Sequence, residues 1–188
     1  MSLVLLKFKG VSEIVGNEAL GLLVLTTEDE TRQLSIVCER NMLLQFGLRM
    51  SPFPDTSILL PEVLWQIISD HTDLAFQVQI LDLIGGQYKT FLHNMALQQY
   101  IPMRASDAIL LAEIGNIPIY IDDKLLRRQS VPYDKNAPGV SVPVNVITTE
   151  MLKAALEKAI REENYEQASQ LRDELKRREQ AEREGDKP

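Results

Sequence analysis

The densest polar group in an apolar setting is Arg104, Ser106 and Asp107, which open the run RASDAILLAEIGN at 104–116. The N–H groups of a helix's first turn lack partners and carry the positive end of the dipole, so an arginine beside them can help bind a phosphate. Asp107 could then bind a metal ion or activate water. The same residues serve a structural purpose equally well. Ser106 or Asp107 can cap the helix, and Arg104 can pair with an acid or a strand-end carbonyl. Asp122 and Asp123 offer two adjacent carboxylates for a divalent cation, or a cap for the short helix after them. His93 falls on the expected apolar face of a strand, where it is either a catalytic group or a hydrogen-bonded core residue. His71 sits at a helix end and reads as a solvated terminal residue. No phosphate-binding glycine loop, HExxH or CxxC is present. Cys38 is the sole cysteine, so no internal disulfide or multi-cysteine zinc site can form. Its Ile-Val-Cys setting suits a buried thiol in a reducing compartment.

These residues belong to a chain of 188 with 45% hydrophobic and 25% charged residues, enough to bury a core. The net charge is −7, and both parts share it: 16 acids against 11 bases before Ile147, 11 against 9 after it. That opposes a surface built to hold long nucleic acid by its phosphates, while leaving room for a small basic site. The opening MSLVLLKFKG has an apolar run of about four residues, short of the roughly 7–15 of a signal peptide. No stretch approaches the roughly 20 apolar residues of a membrane span. A soluble, cytoplasmic protein without a membrane partner is expected.

The elements that must position these groups follow from periodicity. Residues 3–8, 20–26 and 34–38 read as strands of an antiparallel meander, with a polar turn at TTEDETRQ. A short helix fits 39–48, and SPFPDTS is a loop. LPEVLWQIISDH (60–71) is an amphipathic helix with Pro61 in its first turn and Leu60, Val63, Leu64, Ile67 and Ile68 on its apolar stripe. Residues 75–84 and 87–97 form a hairpin about Gly85-Gly86, in which Asp82 faces Lys89, Ile80 faces Phe91 and Val78 faces His93. Gly115-Asn116 ends the 104–116 helix, 117–121 is a strand and 122–128 a short helix. The fold class expected is α+β, a mixed and largely antiparallel sheet with packed helices.

Residues 131–147 hold Pro132, Pro138, Gly139 and Pro143 and read as a linker. From 148 to 180 the pattern changes to two charged helices broken at Asn164. Leu152, Leu156, Ala159 and Ile160 share one face of the first, and Ala168, Leu171 and Leu175 one face of the second. Helices joined this tightly lie antiparallel. Their narrow stripes bury little alone and call for a protein partner or a second copy. The tail 181–188 is expected to be disordered.

Two segments resemble known families. RASDAILLAEIGNIPIYI (104–121) is similar to the signature of bifunctional nucleases, with Ala105 where that family carries proline; the resemblance covers about 3–130, and the domain is expected to span 1–130. LEKAIREENYEQASQLRDELKRRE is similar to the UVR motif of the excision-repair proteins UvrB and UvrC, through Glu163, Tyr165, Glu166, Ala168 and 171–175. The first resemblance implies a nuclease hydrolysing DNA or RNA, with Arg104, Ser106, Asp107 and His93 as catalytic candidates. Asp107 and Asp122 would be ligands for Mg²⁺ or Mn²⁺. The second implies a protein-binding hairpin that presents Leu152, Leu156, Ile160, Tyr165, Ala168, Leu171, Arg172 and Leu175. The alternative is a non-catalytic, homo-oligomeric adaptor that recruits a repair or proteolysis component.

Overall fold

The computed structural model describes residues 2–14, 17–52 and 55–135, together with separate positions between 153 and 176. It divides into two compact units, Met1–Ser141 and Val142–Pro188. In chain order the first unit comprises β1 (Leu3–Ile14), β2 (Asn17–Thr27), β3 (Arg32–Glu39), α1 (Arg40–Arg49), α2 (Leu60–His71) and β4 (Phe76–Ile84). It continues with β5 (Gln87–Asn94), β6 (Gln99–Met103), α3 (Ala105–Gly115), β7 (Ile119–Asp122), α4 (Asp123–Gln129) and β8 (Val131–Pro132). One sheet runs β6-β5-β4-β7-β1-β2-β3-β8, antiparallel throughout except where β4 meets β7. The α+β class expected from the sequence is the one observed.

α3 is the central helix, packed against β3, β4, β5, α1 and α2. Its sequence is apolar nearly all round, as a buried helix requires, and Ala108, Ile109, Leu110 and Ala112 are buried. Beneath it stand Val78 and Ile80 of β4, Leu92 of β5, and Ile119 and Ile121 of β7, all buried. On the meander side, Met42 and Phe46 of α1 close the core, and Phe8 lies 4.8 Å from Phe46 between ring centroids.

Four expectations need correction. The hairpin turns at Gly85-Gly86, both at positive φ, and Asp82 does face Lys89. Beyond that rung a bulge between Ile80 and Asp82 inserts one residue into β4. Ile80 therefore faces Thr90, Val78 faces Leu92, and Gln77 rather than Val78 faces His93. Secondly, the α2 stripe is not its packed face. Leu60, Val63, Leu64 and Ile67 are exposed, and no residue of α2 is buried. Trp65 holds the helix instead. It lies on Gly115, where an added Cβ would come within 2.5 Å of the indole, and edge-on to Phe76.

Thirdly, the strand expected over 87–97 ends at Asn94, and Gln99–Met103 add β6, an edge strand in which Pro102 is tolerated. Fourthly, the globular part does not stop at 130. Val131–Pro132 pair with Arg32 and Gln33, the Tyr133 N–H donates to the Thr31 carbonyl, and Lys135 pairs with Glu30.

Every described residue between 153 and 176 has helical backbone. Among the described residues no helix is long and apolar enough to cross a membrane.

Candidate functional site

The segment Arg104–Asp107 is placed by the passage from β6 into α3. The strand runs straight into the helix, so Arg104 takes the N-cap position with extended backbone and makes no side-chain cap. Ser106 and Asp107 thus fall inside the first turn rather than in front of it, and the expected Ser or Asp cap does not form. The Asp107 carboxylate instead receives Arg104, with Nε to Oδ2 at 2.6 Å and Nη2 to Oδ1 at 3.1 Å. This two-point geometry matches the guanidinium fork to the carboxylate. The helix start keeps its first-turn N–H groups without a side-chain cap.

A second helix start meets this one. Glu39 ends β3 and is the N-cap of α1, again with no side-chain cap. Its carboxylate lies 3.7 Å from Arg104 Nη1. Arg104 therefore bridges two helix N-termini that are 65 residues apart in sequence. Asp107 first, and Glu39 after it, raise the guanidinium pKa further above its ordinary value. Arg104 is 63% exposed and Glu39 62%, so water competes for both and the arginine can exchange partners at small cost. Glu39 was not singled out in the sequence. Its only signal there is an acid at a strand-to-helix junction.

The other candidates lie elsewhere. Asp122 caps α4 by accepting from the Leu125 N–H at 3.1 Å, and Asp123 pairs with Arg127 four residues on. The capping role is thus the one Asp122 fills. No group of three or more His, Cys, Asp or Glu residues suited to a metal stands together among the described residues. His93 pairs with Tyr100 across β5 and β6, three rungs from the end where Met103 faces Thr90 and leads into Arg104. It also lies on the face away from α3. It is buried, stacked on Tyr100 at 4.3 Å, and held at Nδ1 by Gln77 and Gln79. Burial pushes the Cys38 thiol up to about 11, which leaves it unreactive at neutral pH.

A cleft of about 270 Å³ lies apart from Arg104, lined by Phe8, Phe46, Arg49, Glu62, Glu113 and Ile114 among others. Arg49 and Glu62 pair inside it at 2.7 Å with side chains 10% and 14% exposed, fastening α2 to α1. Arg49 also donates to the Gln45 carbonyl at 2.8 Å. Arg49 Nε, buried in the cleft, is left without a hydrogen-bond partner. Glu113 stands at its rim, where partial burial raises the carboxyl pKa.

Of the C-terminal residues expected to bind a partner, Ala168 and Leu175 are buried and Leu156 is half-buried. Ile160, Tyr165 and Arg172 are exposed, which departs from the expected seam at Ile160. Leu152 and Leu171 lie outside the described residues, as do the linker from 136 onward and the tail.

Comparison with known families agrees with both resemblances. A model of the UvrB/uvrC motif, a protein-interaction motif, matches residues 149–181. A model of the bifunctional nuclease domain matches residues 23–134, which takes in β3 through β8 with Glu39, Arg104 and Asp107. No curated protein matches the chain. The domain match covers more than half of the sequence, and the chain belongs to the bifunctional nuclease domain family.

Proposed function

We propose that this protein hydrolyses phosphodiester bonds of DNA or RNA where α1 and α3 begin, and recruits another protein through its C-terminal motif. The observation that carries this is Arg104, an exposed guanidinium set over an uncapped helix start and flanked by two carboxylates. A substrate phosphate takes Arg104 from Asp107 and also meets the first-turn N–H groups of α3. Asp107, freed of its partner, accepts the proton of the attacking water. Arg104 stabilises the negative charge that builds on the phosphoryl oxygens, and as the P–O bond breaks the leaving oxygen takes a proton from solvent water. With Mg²⁺ or Mn²⁺ bound, Glu39 and Asp107 would hold the ion, Asp107 then serving as a ligand in place of the base; such an ion is commonly bound by one or two carboxylates together with water and substrate phosphate. That ion supplies further charge neutralisation at the phosphate. Asp122, occupied in capping α4, plays no part.

In this reading residues 148–180 form a two-helix hairpin whose contact surface includes Ile160, Tyr165 and Arg172. The buried thiol of Cys38 suits the reducing cytoplasm. Wild-type chain should cleave single-stranded DNA or RNA with Mg²⁺ or Mn²⁺ present, and Asp107→Asn should lose that cleavage. Equal cleavage by both removes Asp107 from the chemistry.

The second reading is a non-catalytic, homo-oligomeric adaptor. The uncovered stripe Leu60, Val63, Leu64 and Ile67 favours it, because such a stripe on a folded domain marks an association surface. Sedimentation of the chain beside Ile67→Gln tests it: a wild-type monomer sinks it.

A further inference from the structure

The sheet has a second face, opposite α3, whose composition differs from that of the core. On β5 the alternation puts Thr90 and Leu92 under α3 and sends Lys89, Phe91 and His93 the other way. Register extends this face to neighbouring strands. Phe91, Gln79 and Tyr120 stand in one row across β5, β4 and β7, and Tyr100, His93 and Gln77 in the next across β6, β5 and β4. Aromatic rings thus alternate with amides where the α3 side carries Val, Ile and Leu.

The rings form an ordered stack. His93 and Tyr100 are 4.3 Å apart with planes inclined by 14°, and Phe91 meets Tyr100 edge-on at 6.0 Å. His93 is fixed from behind, since Gln77 Nε2 and Gln79 Nε2 lie 3.0 and 3.3 Å from its Nδ1. Its other ring nitrogen, Nε2, is buried and has no hydrogen-bond partner. The stack runs outward to Tyr100, which is 50% exposed on the edge strand. Lys89 is exposed on the same face, with no carboxylate within ion-pair distance among the described residues. Its cross-strand neighbour Asp82 turns its carboxylate to the Leu83 N–H.

We infer that this face is a stacking platform for unpaired bases of a single-stranded nucleic acid. A base laid on the open side of Tyr100 continues the His93–Tyr100 stack, which Gln77 and Gln79 brace from behind, and Lys89 meets a backbone phosphate. Bases within a duplex are already stacked on each other and cannot offer a face, so the platform selects single strands. It deepens the nuclease reading and rests on it for the use made of the bound strand. Among the described residues Lys89 is the cation beside these rings that has no ion-pair partner, so binding depends on stacking more than charge. A slope of about −0.7 in log K against log salt is expected for one phosphate contact on a single strand.

The test is anisotropy of labelled oligo-dT, oligo-rU and a duplex with the full-length chain in EDTA, so that cleavage does not interfere. The wild type should bind both single strands better than the duplex. Tyr100→Phe should keep binding, and Tyr100→Leu, which keeps an apolar side chain but no ring, should weaken it about five- to 150-fold at unchanged melting temperature. Equal binding by Tyr100→Leu, or equal binding of duplex and single strands, overturns the platform, as does a Tyr100→Leu effect on self-association alone. Ring-dependent binding by a chain that never cleaves supports the platform and sinks the nuclease reading. Cleavage with ring-independent binding does the reverse.

Discussion

Helices α2 and α3 pack against each other, yet they place their apolar residues in opposite ways. α3 is apolar around most of its circumference and is enclosed by strands and helices on several sides. α2 is sharply amphipathic, touches the domain through Trp65 and the Arg49–Glu62 pair, and turns its apolar stripe outward. The first is a strut that fixes where Arg104 and Asp107 stand. The second is held by a few anchors and leaves an apolar surface for association. Apolar content and amphipathic distribution thus do not by themselves separate core from interface; what packs on the apolar face does.

The widest test of that contrast is truncation inside α3. Ile109 is fully buried, so Ile109→Ala should cost about 2–5 kcal/mol in urea denaturation. A loss under about 1 kcal/mol would mean α3 is not the strut described. Next comes the joint between the helices. Gly115→Ala drives a methyl into Trp65 and should cost about 1–3 kcal/mol. In a Trp65→Ala background the same change should be neutral or favourable, because alanine is the better helix former; an undiminished cost would place the strain elsewhere.

Third is the α2 stripe. Ile67→Gln should leave monomer stability within about 0.5 kcal/mol while dispersing any oligomer. A destabilisation of the α3 kind would erase the contrast.

The smallest effect lies away from both helices. Lys135 first, then Lys9, hold the Glu30 carboxyl at about 2 against an ordinary 4.5. A lowered pKa in the folded state stabilises above 4.5, and that contribution is lost as the pH falls towards 2. Glu30→Gln should therefore flatten acid destabilisation in that window and leave both helices unaffected at neutral pH, as melting curves across the pH range would record.

Local chemistry was legible in the sequence where one element decides the outcome. The Gly85-Gly86 turn, the three-stranded meander and the limits of α2 follow from turn residues and periodicity. Asn116 does take the left-handed conformation that ends α3. What was not legible depends on distant parts of the chain. The bulge in β4 changes every inner rung of the hairpin and has no local residue signal. The outward turn of the α2 stripe cannot be read from its period, which reports that a face exists but not what covers it. Gly115 was expected to help stop a helix; its larger role is to admit Trp65. Arg104 and Asp107 were found together because they are three residues apart, whereas Glu39 reaches them only through the fold. Asp122 and His93 were grouped with them by residue type, and the fold assigns one to a cap and the other to the opposite sheet face.

The most direct measurement is turnover of a single-stranded oligonucleotide by the purified full-length chain with Mg²⁺ or Mn²⁺, comparing Arg104→Ala, Asp107→Asn and Glu113→Gln. If hydrolysis occurs where α1 and α3 begin, the first two variants lose turnover and the third, at the rim of the separate cleft, retains it. Turnover that survives Arg104→Ala and Asp107→Asn but falls with Glu113→Gln would contradict the account and move the chemistry to the cleft.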